Sequence, residues 1–430
     1  MAIAAVPLVI GFTGPFGSGC STSARILSER LQFRVVKLSD VIRTDWKREH
    51  HAEPTRKQMQ EHGDSLRRPP HSAAHLAQQA IEDLESGGAV YKDIAIDGIR
   101  NVSEIDFLRR RFGHRFFLFA LECPASERWE RLKPDYESRG QTYDDFNADD
   151  KRDRDEEVAW GQQVQLCVDR SDVLLINDDE VTQAELRTKL LEFVNLMTGE
   201  APRYATPAEI LMNLAYSASH GSKCLKRQVG AVLVAAPPGQ MGDVVGTGFN
   251  ENPPQTHPCV EEPTYGADPK RGVRGSCYRD VVRFESLKKY AREGVRCTGC
   301  GQPLTAPTNA EPPWVCANCN AVLEKPFFPE RAMTWCTAIH AEVAAILAAG
   351  HRARGTTLYT TTFPCFQCAE KIAQAGIAVI VFTEPYSDTQ AADRLTLAKI
   401  ETARFEGVRS SRFHEIFSPV RAFYDGQRVV

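Results

Sequence analysis

The sequence has no long apolar run and no excess of positive charge. No stretch approaches the roughly 20 apolar residues that cross a bilayer, so no membrane-spanning helix is expected. The chain carries 52 Lys and Arg against 56 Asp and Glu, a formal net charge of -4. This balance provides no general affinity for nucleic acid and leaves room for a local basic patch. The apolar residues 1–12 lack a positively charged leader and a cleavage site, and we interpret them as a buried strand of a cytoplasmic protein.

The chain also lacks internal repeats, low-complexity tracts and the pattern of a secreted disulfide scaffold. Its 430 residues are too many for one typical core and indicate two or three domains. Six of its 13 cysteines form C-x-x-C pairs, at Cys297/Cys300, Cys316/Cys319 and Cys365/Cys368. Such pairs in a long chain predict metal binding in a reducing compartment.

Strand-like segments alternate with helical ones through the first half of the chain. The runs "PLVIGFT", "DIAIDG" and "RFFLFALE" are short and apolar, and amphipathic stretches separate them. This alternation predicts an α/β domain with a parallel sheet covered on both faces, over residues 1–200. A linker is expected near 199–206 and a second α/β domain over 205–415. Residues 251–336 interrupt the second domain with Pro, Gly and Cys, and 416–430 form a tail.

Residues 14–22, "GPFGSGCST", have the spacing of a phosphate-binding loop, G-x-x-x-x-G-K-[ST]. Cys20 occupies the lysine position. Backbone N–H groups and the N-terminus of the following helix bind phosphate even without lysine. A chance run of small residues is the alternative. The loop residues expected to bind nucleotide are Gly14, Gly17, Ser18, Gly19, Cys20, Ser21 and Thr22.

Two further residues follow the next strand-like run, where Asp97 would approach a metal ion and Arg100 a phosphate. Residues 149–157, "DDKRDRDEE", resemble the arginine-bearing lid of nucleotide kinases, or form a plain charged helix. A neutral thiol at position 20 cannot stabilise a transferring phosphoryl group. We therefore predict a domain that senses a nucleotide, with or without Mg²⁺, and does no kinase chemistry. The side chains that could replace the lysine charge are Arg100, Arg139, Arg152 and Arg154.

The second half contains "HAE" at 340–342 and "PCFQC" at 364–368, the H-x-E…P-C-x-x-C pattern of zinc deaminases. His340, Cys365 and Cys368 would bind zinc and leave its fourth position for water, whose pKa falls to about 7. Glu342 is placed to move the water's proton without binding the metal. The alternatives are a structural zinc site and a C-x-x-C pair beside an unrelated histidine.

Residues 205–415 resemble the deoxycytidylate deaminase branch of the cytidine deaminase superfamily. The similar segments are "SKCLKRQVGAVLV", "GTGFNENP" and "LYTTTFPCFQCAEKIAQAGIAVIVF". The resemblance implies a central mixed sheet with helices on both sides, and a contact from Asn250 to the sugar and base of the substrate. It also places four side chains near the 5′-phosphate: Ser222, Lys223, Lys226 and Arg227. Those basic residues could equally form a solvated helix end.

The interruption at 251–336 contains a second metal-binding pattern. Its C-x2-C-x15-C-x2-C spacing predicts a closed structural zinc site, with four free thiols as the alternative. Its ligands would be Cys297, Cys300, Cys316 and Cys319. Cys259, Cys277 and Cys336 are left over as a further site near His257, or as free buried thiols. The basic stretch 270–296 is either a surface for triphosphate, RNA or another subunit, or a solvated helix.

As a whole, this architecture is similar to the bacterial anti-phage dCTP deaminases. The resemblance implies hydrolysis of dCTP, with dCMP as a further substrate, to a deoxyuridine nucleotide and ammonia, which drains the pool a phage needs. A homo-oligomer without membrane attachment is expected, with a nucleotide or RNA as candidate regulator. Two alternatives stay open: a polynucleotide cytidine or adenosine deaminase, and a regulatory RNA-binding module with a vestigial zinc site.

Overall fold

The computed structural model describes residues 7–418 with gaps at 88–91, 155–157, 202 and 386–388. Between 254 and 337 it describes 277, 295–296, 300, 302–304, 314–315, 318–319, 322–323 and 336. The chain divides into two compact units, Met1–Asn213 with Arg404–Val430, and Leu214–Ala403. Among the described residues, no helix is both long and apolar enough to cross a membrane.

The first unit contains a six-stranded sheet. Its strands are β1 (Leu8–Thr13), β2 (Arg34–Lys37), β3 (Asp93–Asp97), β4 (Phe116–Glu122), β5 (Val173–Ile176) and β15 (Gly407–Val408), numbered along the chain. The order across the sheet is β15-β5-β4-β1-β3-β2, and all pairings are parallel except the antiparallel β15–β5 pair. The sheet confirms the predicted parallel α/β domain.

Among the described residues, eleven α-helices belong wholly or partly to this unit. They are α1 (Cys20–Leu31), α2 (Leu38–His50), α3 (Arg56–Arg67), α4 (His75–Ser86), α5 (Val102–Phe112), α6 (Ala125–Glu137), α7 (Tyr143–Arg154), α8 (Val164–Asp169), α9 (Gln183–Thr198), α10 (Pro207–Ser219) and α14 (Ser410–Phe417). The boundary between the units falls inside α10.

The first sheet is buried on both faces because successive residues of a strand point to opposite sides. In β1, Leu8, Ile10 and Phe12 join a core cluster with residues of α1 and α9. Val9 joins a different cluster, with residues of α4 and α5. Each such apolar side chain contributes about 1.5–3 kcal/mol when fully buried. This two-sided burial explains why the strands read as continuous apolar runs.

The C-terminal boundary differs from the expected limit of 415, because the chain returns to the first unit at Arg404. Val408 pairs with β5, and its backbone N–H donates to the Glu209 Oε1 atom at 2.8 Å. The Arg409 N–H donates to the Asp172 backbone oxygen, also at 2.8 Å. An edge strand added from a distant part of the chain leaves no local sequence signal.

The second unit has a mixed five-stranded sheet in the order β14-β13-β12-β6-β7. Its strands are β6 (Gly230–Ala235), β7 (Asp243–Phe249), β12 (Thr357–Thr362), β13 (Val379–Glu384) and β14 (Glu401–Arg404). The pairs β6–β7 and β6–β12 are antiparallel, whereas β12–β13 is parallel. Its further helices are α11 (Ala341–Ala349), α12 (Phe366–Ala375) and α13 (Thr389–Leu397).

Two glycines of β7 allow α11 to lie directly against the sheet. A Cβ atom at Gly246 would come within 2.4 Å of the Ala345 oxygen, and one at Gly248 within 2.4 Å of the Ala345 nitrogen. Any side chain at these positions would push the helix outward. The G-x-G of "GTGFN" is therefore a packing requirement that fixes the start of α11, where His340 lies.

Short hairpins form the described part of the interruption between β7 and α11. The strands are β8 (Val295–Arg296), β9 (Pro303–Leu304), β10 (Trp314–Val315) and β11 (Val322–Leu323). β8 pairs with β9 and β10 pairs with β11, both antiparallel. In the sequence, each C-x-x-C pair of the insertion lies between the two strands of one hairpin.

Candidate metal centre and nucleotide site

The metal-binding motifs lie at the beginnings of two helices. His340 is the residue that caps α11, and Cys365 is the residue that caps α12; both have extended backbone. Their carbonyl oxygens accept the first helical hydrogen bonds, from Ala344 and Ala369, each at 2.9 Å. The positive end of each helix dipole therefore faces the ligands and favours thiolate over thiol.

The three predicted ligands come together. The His340 Nδ1 atom lies 3.2 Å from Cys368 Sγ and 3.4 Å from Cys365 Sγ, and all three ligand atoms lie within 4.8 Å of one another. Zinc bonds to nitrogen and sulfur at about 2.0–2.3 Å, which suits these separations. One imidazole and two thiols are also the donors zinc prefers, so the residues fit the metal.

The two thiols differ in acidity. A hydrogen bond from Cys368 lowers the pKa of Cys365 to about 4, although burial opposes the shift. Cys368 keeps the proton, and its pKa is raised well above the usual value. Cys365 is therefore the more acidic of the two thiols, and metal binding would release the proton of Cys368, because zinc binds thiolates.

Glu342 lies in the first turn of α11 with 4% of its surface exposed. Its Oε2 atom is 3.5 Å from Cys368 Sγ. Burial raises the pKa of the Glu342 carboxyl above its ordinary value. The motif thus places a shielded carboxyl beside the three ligand atoms, as expected from the H-x-E spacing.

Asn250 uses both ends of its amide to hold the preceding loop. Its Oδ1 atom accepts from the Val229 N–H at 2.8 Å, and its Nδ2 group donates to the Arg227 oxygen at 2.9 Å. The buried Ser222 hydroxyl donates to the Asn250 oxygen at 2.7 Å. Asn250 is therefore a positioning residue in this structure, and its contact with substrate stays a prediction.

This loop is tied to the ligand segment through the backbone. Glu251, which follows Asn250, exchanges two hydrogen bonds with Ile339, which precedes His340, at 3.0 and 2.7 Å. The predicted phosphate-binding residues Lys223, Lys226 and Arg227 lie on the same loop and are exposed. Asn250 is therefore next in sequence to Glu251, whose bridge partner Ile339 is next in sequence to the ligand His340.

The sequence did not indicate Glu384, which ends β13. Its carboxylate lies 3.7 Å from the Arg227 guanidinium and accepts from the Thr362 hydroxyl at 3.2 Å. The Tyr216 hydroxyl is 3.5 Å away. The available signal was that Glu384 ends a strand parallel to β12, the strand leading into the cysteine ligands.

The insertion cysteines are described in part. Cys300 and Cys319 lie in the turns of the β8–β9 and β10–β11 hairpins. The Asn318 amide donates to Cys300 Sγ at 3.6 Å, which brings the two turns together. Cys297, Cys316, Cys259 and His257 lie outside the described residues, as does most of 270–296. Cys277 and Cys336 are half-buried.

The phosphate-type loop has the backbone that its glycines predict. Gly14, Gly17 and Gly19 have φ angles of 152°, 82° and 107°. A Cβ atom at Gly14 would lie 2.3 Å from the Leu121 oxygen, and one at Gly19 2.3 Å from the Asn177 Nδ2 atom. Glycine is required at both positions for conformation and for space, and Gly19 directly precedes α1.

The loop borders a cavity of about 580 Å³. The Ser21 hydroxyl donates to Asp97 Oδ2 at 2.7 Å, so a hydroxyl and a carboxylate meet where Mg²⁺ would find oxygen ligands. Burial and the nearby Asp97 raise the pKa of the Cys20 thiol to about 12. The thiol is therefore neutral at any physiological pH. Ser18 and Thr22 complete the loop.

Of the arginines proposed from sequence, Arg100 lines this cavity. The others form ion pairs outside its lining: Arg139 with Asp135, Arg152 with Asp64 and Arg154 with Asp150, at 2.8, 2.8 and 3.1 Å. The cavity is also lined by Arg131, Asn177 and Gln183, which the sequence did not indicate. Asn177 directly follows β5, and strand ends at this edge of a parallel sheet form ligand crevices.

Each half of the chain matches a known family model. Residues 206–384 match the family model of the cytidine and deoxycytidylate deaminase zinc-binding region, and residues 10–159 match that of an AAA domain. The first match contains His340, Glu342, Cys365 and Cys368, and the second contains the phosphate loop. The chain thus combines an AAA-like P-loop unit with a deaminase-type zinc-binding unit.

Individual relatives resemble different parts of this architecture. The UPF0200 protein of Aeropyrum pernix is 30% identical over 194 residues, 45% of this chain and 96% of that protein. The chain therefore belongs to the UPF0200 family. The UPF0200/UPF0201 protein of Archaeoglobus fulgidus is 33% identical over 154 residues, and the chain spans 46% of its length. The deoxycytidylate deaminase of Enterobacteria phage T4 is 28% identical over 191 residues, 42% of this chain and 78% of that enzyme.

Proposed function

We propose that this chain deaminates deoxycytidine nucleotides, with dCTP and dCMP as substrates, and releases the deoxyuridine nucleotide and ammonia. One observation carries the proposal. His340, Cys365 and Cys368 converge beside the buried carboxyl of Glu342. The deaminase match over 206–384 supports the reaction class, and the similarity to a deoxycytidylate deaminase supports the nucleotide substrate.

In this proposal His340 Nδ1, Cys365 Sγ and Cys368 Sγ hold one zinc ion. Bound zinc supplies a Lewis acid that makes water nucleophilic at neutral pH. The ligands themselves are oriented by the chain, because His340 and Cys365 each start a helix. Backbone hydrogen bonds at these helix starts hold the segments that carry the ligands.

Glu342 moves the protons. Its carboxyl is shielded from bulk water and lies beside the ligand atoms. A carboxylate there accepts a proton from the attacking water and delivers protons to the ring nitrogen and then to the leaving amine. The water oxygen becomes the new carbonyl at C4 of the base, and the amine leaves as ammonia.

The loop at 222–229 is our candidate for binding the sugar and the 5′-phosphate. The backbone bridge from Glu251 to Ile339 supports this assignment, because it ties the loop to the segment that carries His340. Asn250 orients the loop, and Ser222, Lys223, Lys226 and Arg227 contact the phosphate end. Lysine and arginine side chains form strong charge-assisted hydrogen bonds with phosphate oxygens.

The first unit is proposed to bind a nucleotide for control, without hydrolysing it. The loop glycines with positive φ, the α1 N-terminus and the Ser21–Asp97 pair support phosphate and Mg²⁺ binding. The neutral Cys20 thiol supports the absence of phosphoryl transfer. We further propose a cytoplasmic homo-oligomer that drains the dCTP pool in defence against phage.

Product analysis with the purified full-length chain tests the proposal. dCMP, dCTP, CTP, dATP and single-stranded DNA are supplied in parallel, and products are separated by chromatography. Deoxyuridine nucleotide should form from dCTP and dCMP. Deamination restricted to single-stranded DNA would overturn the small-nucleotide assignment. Glu342→Gln serves as the matched inactive control, since it keeps the shape of the side chain.

A further inference from the structure

The phosphate loop lacks its lysine, and two arginines line the cavity beside it. Arg131 is held by the Asn177 oxygen and by the Asp179 carboxylate, each at 2.9 Å. Arg100 and Cys20 line the same cavity, and the charge of the Arg100 guanidinium lowers the pKa of the Cys20 thiol against the opposing effect of Asp97. Arg100 is therefore the better candidate for a replacement cation.

Arg100 already forms an ion pair with a carboxylate. Its Nη1 group forms an ion pair with Asp153 Oδ2 and donates to Gln162 Oε1 at 3.2 Å. The Asp153 side chain has 2% of its surface exposed, against 27% for Arg100. The Gln60 amide approaches the other Asp153 oxygen at 3.3 Å. Asp153 is thus a buried anion, and its partner cation, Arg100, lines the nucleotide cavity.

Asp153 lies on α7, and this helix contacts the loop through a second pair. Asp150 of α7 accepts two hydrogen bonds from Arg128, at 2.6 and 2.9 Å. Arg128 is fully buried and also donates to the Phe16 oxygen of the loop at 3.1 Å. The position of α7 is therefore coupled to the loop through Arg128 and to the cavity through Arg100.

We propose that Arg100 supplies the phosphate-binding charge that Cys20 lacks, and that Asp153 occupies Arg100 until a phosphorylated ligand displaces it. The inference rests on the proposed nucleotide site. Phosphate oxygens accept hydrogen bonds from a guanidinium as a carboxylate does, so a phosphorylated ligand competes with Asp153 for Arg100. Once displaced, the buried Asp153 carboxylate loses its cation, so α7 shifts to solvate it. Ligand binding is thereby reported by α7.

Calorimetric titration of the full-length chain with Mg·ATP, Mg·GTP and inorganic triphosphate tests the charge assignment. Loss of a charge-assisted hydrogen bond in Arg100→Gln should weaken binding about tenfold or more. Adding Cys20→Lys to the Arg100→Gln variant should reduce that loss of affinity to less than about threefold, because the lysine restores the missing charge. Arg139→Gln, an exposed arginine paired outside the cavity lining, is the matched control and should bind like wild type.

The role of Asp153 is tested with Asp153→Asn, which keeps the shape and removes the charge. Its affinity for the same probes should rise at least about threefold, because Arg100 is no longer occupied. In the wild type, amide hydrogen exchange across 143–154 should increase when ligand binds, a readout that needs no variant to fold. Unchanged exchange in α7 on saturation contradicts the displacement.

The outcomes separate this inference from the proposed function. If wild type binds triphosphate and Arg100→Gln binds it equally well, the nucleotide site stands and the Arg100 assignment is wrong. If neither wild type nor Cys20→Lys binds any of the probes, the first unit is not a nucleotide site, and both proposals about it fail. Deamination by the second unit is measured independently in the same preparations.

Discussion

Among the single residues, Glu342 and Gly19 carry the most specific roles. Glu342 is a buried carboxyl beside one imidazole nitrogen and two sulfur atoms, and a buried titratable group in such a cluster is typical of functional sites. Gly19 combines a φ of 107° with contact to Asn177, so neither its conformation nor its space admits a side chain. Both roles can be tested by single substitutions with matched controls.

Replacing Glu342 with Gln should abolish deamination while zinc stays bound. General acid–base groups contribute about 10²–10⁴-fold to rate, so turnover should fall by at least that factor. Deamination is measured as ammonia release from dCMP, and zinc by elemental analysis of the same sample. Turnover within tenfold of wild type would remove Glu342 from the mechanism. Cys365→Ala should lose both zinc and activity.

Gly19→Ala should destroy the nucleotide site without touching the metal centre. A left-handed alanine costs about 1–2 kcal/mol, and its Cβ atom would collide with the Asn177 amide. Nucleotide affinity, measured by calorimetry with Mg·ATP, should fall more than about tenfold. Gly140→Ala is the control, since Gly140 also has a positive φ of 69° but has open space around it. Equal affinities in the two variants would contradict the phosphate-loop assignment.

Secondary-structure elements position these residues through local and distant contacts. The helix starts at His340 and Cys365 were predictable, because a motif, a turn and an apolar helix follow one another in sequence. The glycine-rich loop was predictable for the same reason. The pairing of Arg100 with Asp153, 53 residues apart, was not, since no local pattern specifies which acid meets which base.

The return of the chain to the first sheet shows the same limit. β15 has two residues, and its partner strand β5 lies more than 200 residues earlier. A two-residue edge strand leaves only a weak sequence signal. The sequence therefore predicted that this segment belongs to the second domain. Glu209 helps to hold β15 in the first unit. Its carboxylate accepts hydrogen bonds from the Val408 N–H at 2.8 Å and from both Arg203 Nη groups at 2.7 Å.

Glu209→Gln should destabilise the first unit in a pH-dependent way. Burial alone would raise the pKa of Glu209, but the hydrogen bonds from Arg203, Val408 and Thr206 lower it below the ordinary value. The carboxylate therefore stabilises the fold above an unfolded pKa of about 4.3, and this contribution disappears as pH falls through the lower folded pKa. Breaking the buried pair should cost about 3 kcal/mol at pH 7.

Urea unfolding at pH 7 and at successively lower pH measures this difference. The gap between wild type and Glu209→Gln should shrink as the solution is acidified below about pH 4. Glu29→Gln is the control, because Glu29 forms an exposed pair with Arg25 and should change stability by less than about 0.5 kcal/mol. A gap that stays constant with pH would show that the ionised carboxylate is not the stabilising form.

At the scale of the whole molecule, two units carry separate chemistry. One has a phosphate-type loop with a neutral thiol, and the other has a three-ligand centre with a buried carboxyl. The cysteine pairs of the insertion add a second predicted metal site, supported by the Asn318 contact to Cys300 between two hairpins. The molecule is therefore expected to depend on zinc for both catalysis and folding.

Elemental analysis of the purified chain should give about two zinc ions, one open site and one closed site. Replacing Cys297 and Cys300 with Ser should remove one zinc and increase protease cleavage within 251–336, because four thiolates would otherwise close that segment. Cys365→Ser should remove the other zinc and leave the insertion resistant. A stoichiometry of one in well-folded wild type would rule out the second site.

We propose that the centre at His340, Cys365 and Cys368 deaminates deoxycytidine nucleotides with zinc. The most direct measurement follows dUTP formation from dCTP, and dUMP formation from dCMP, by full-length protein after metal removal and after zinc is restored. We predict no product from the metal-free chain and recovery of turnover when zinc is added back. Full turnover without metal, or no deoxyuridine nucleotide from either substrate with zinc bound, would contradict the account.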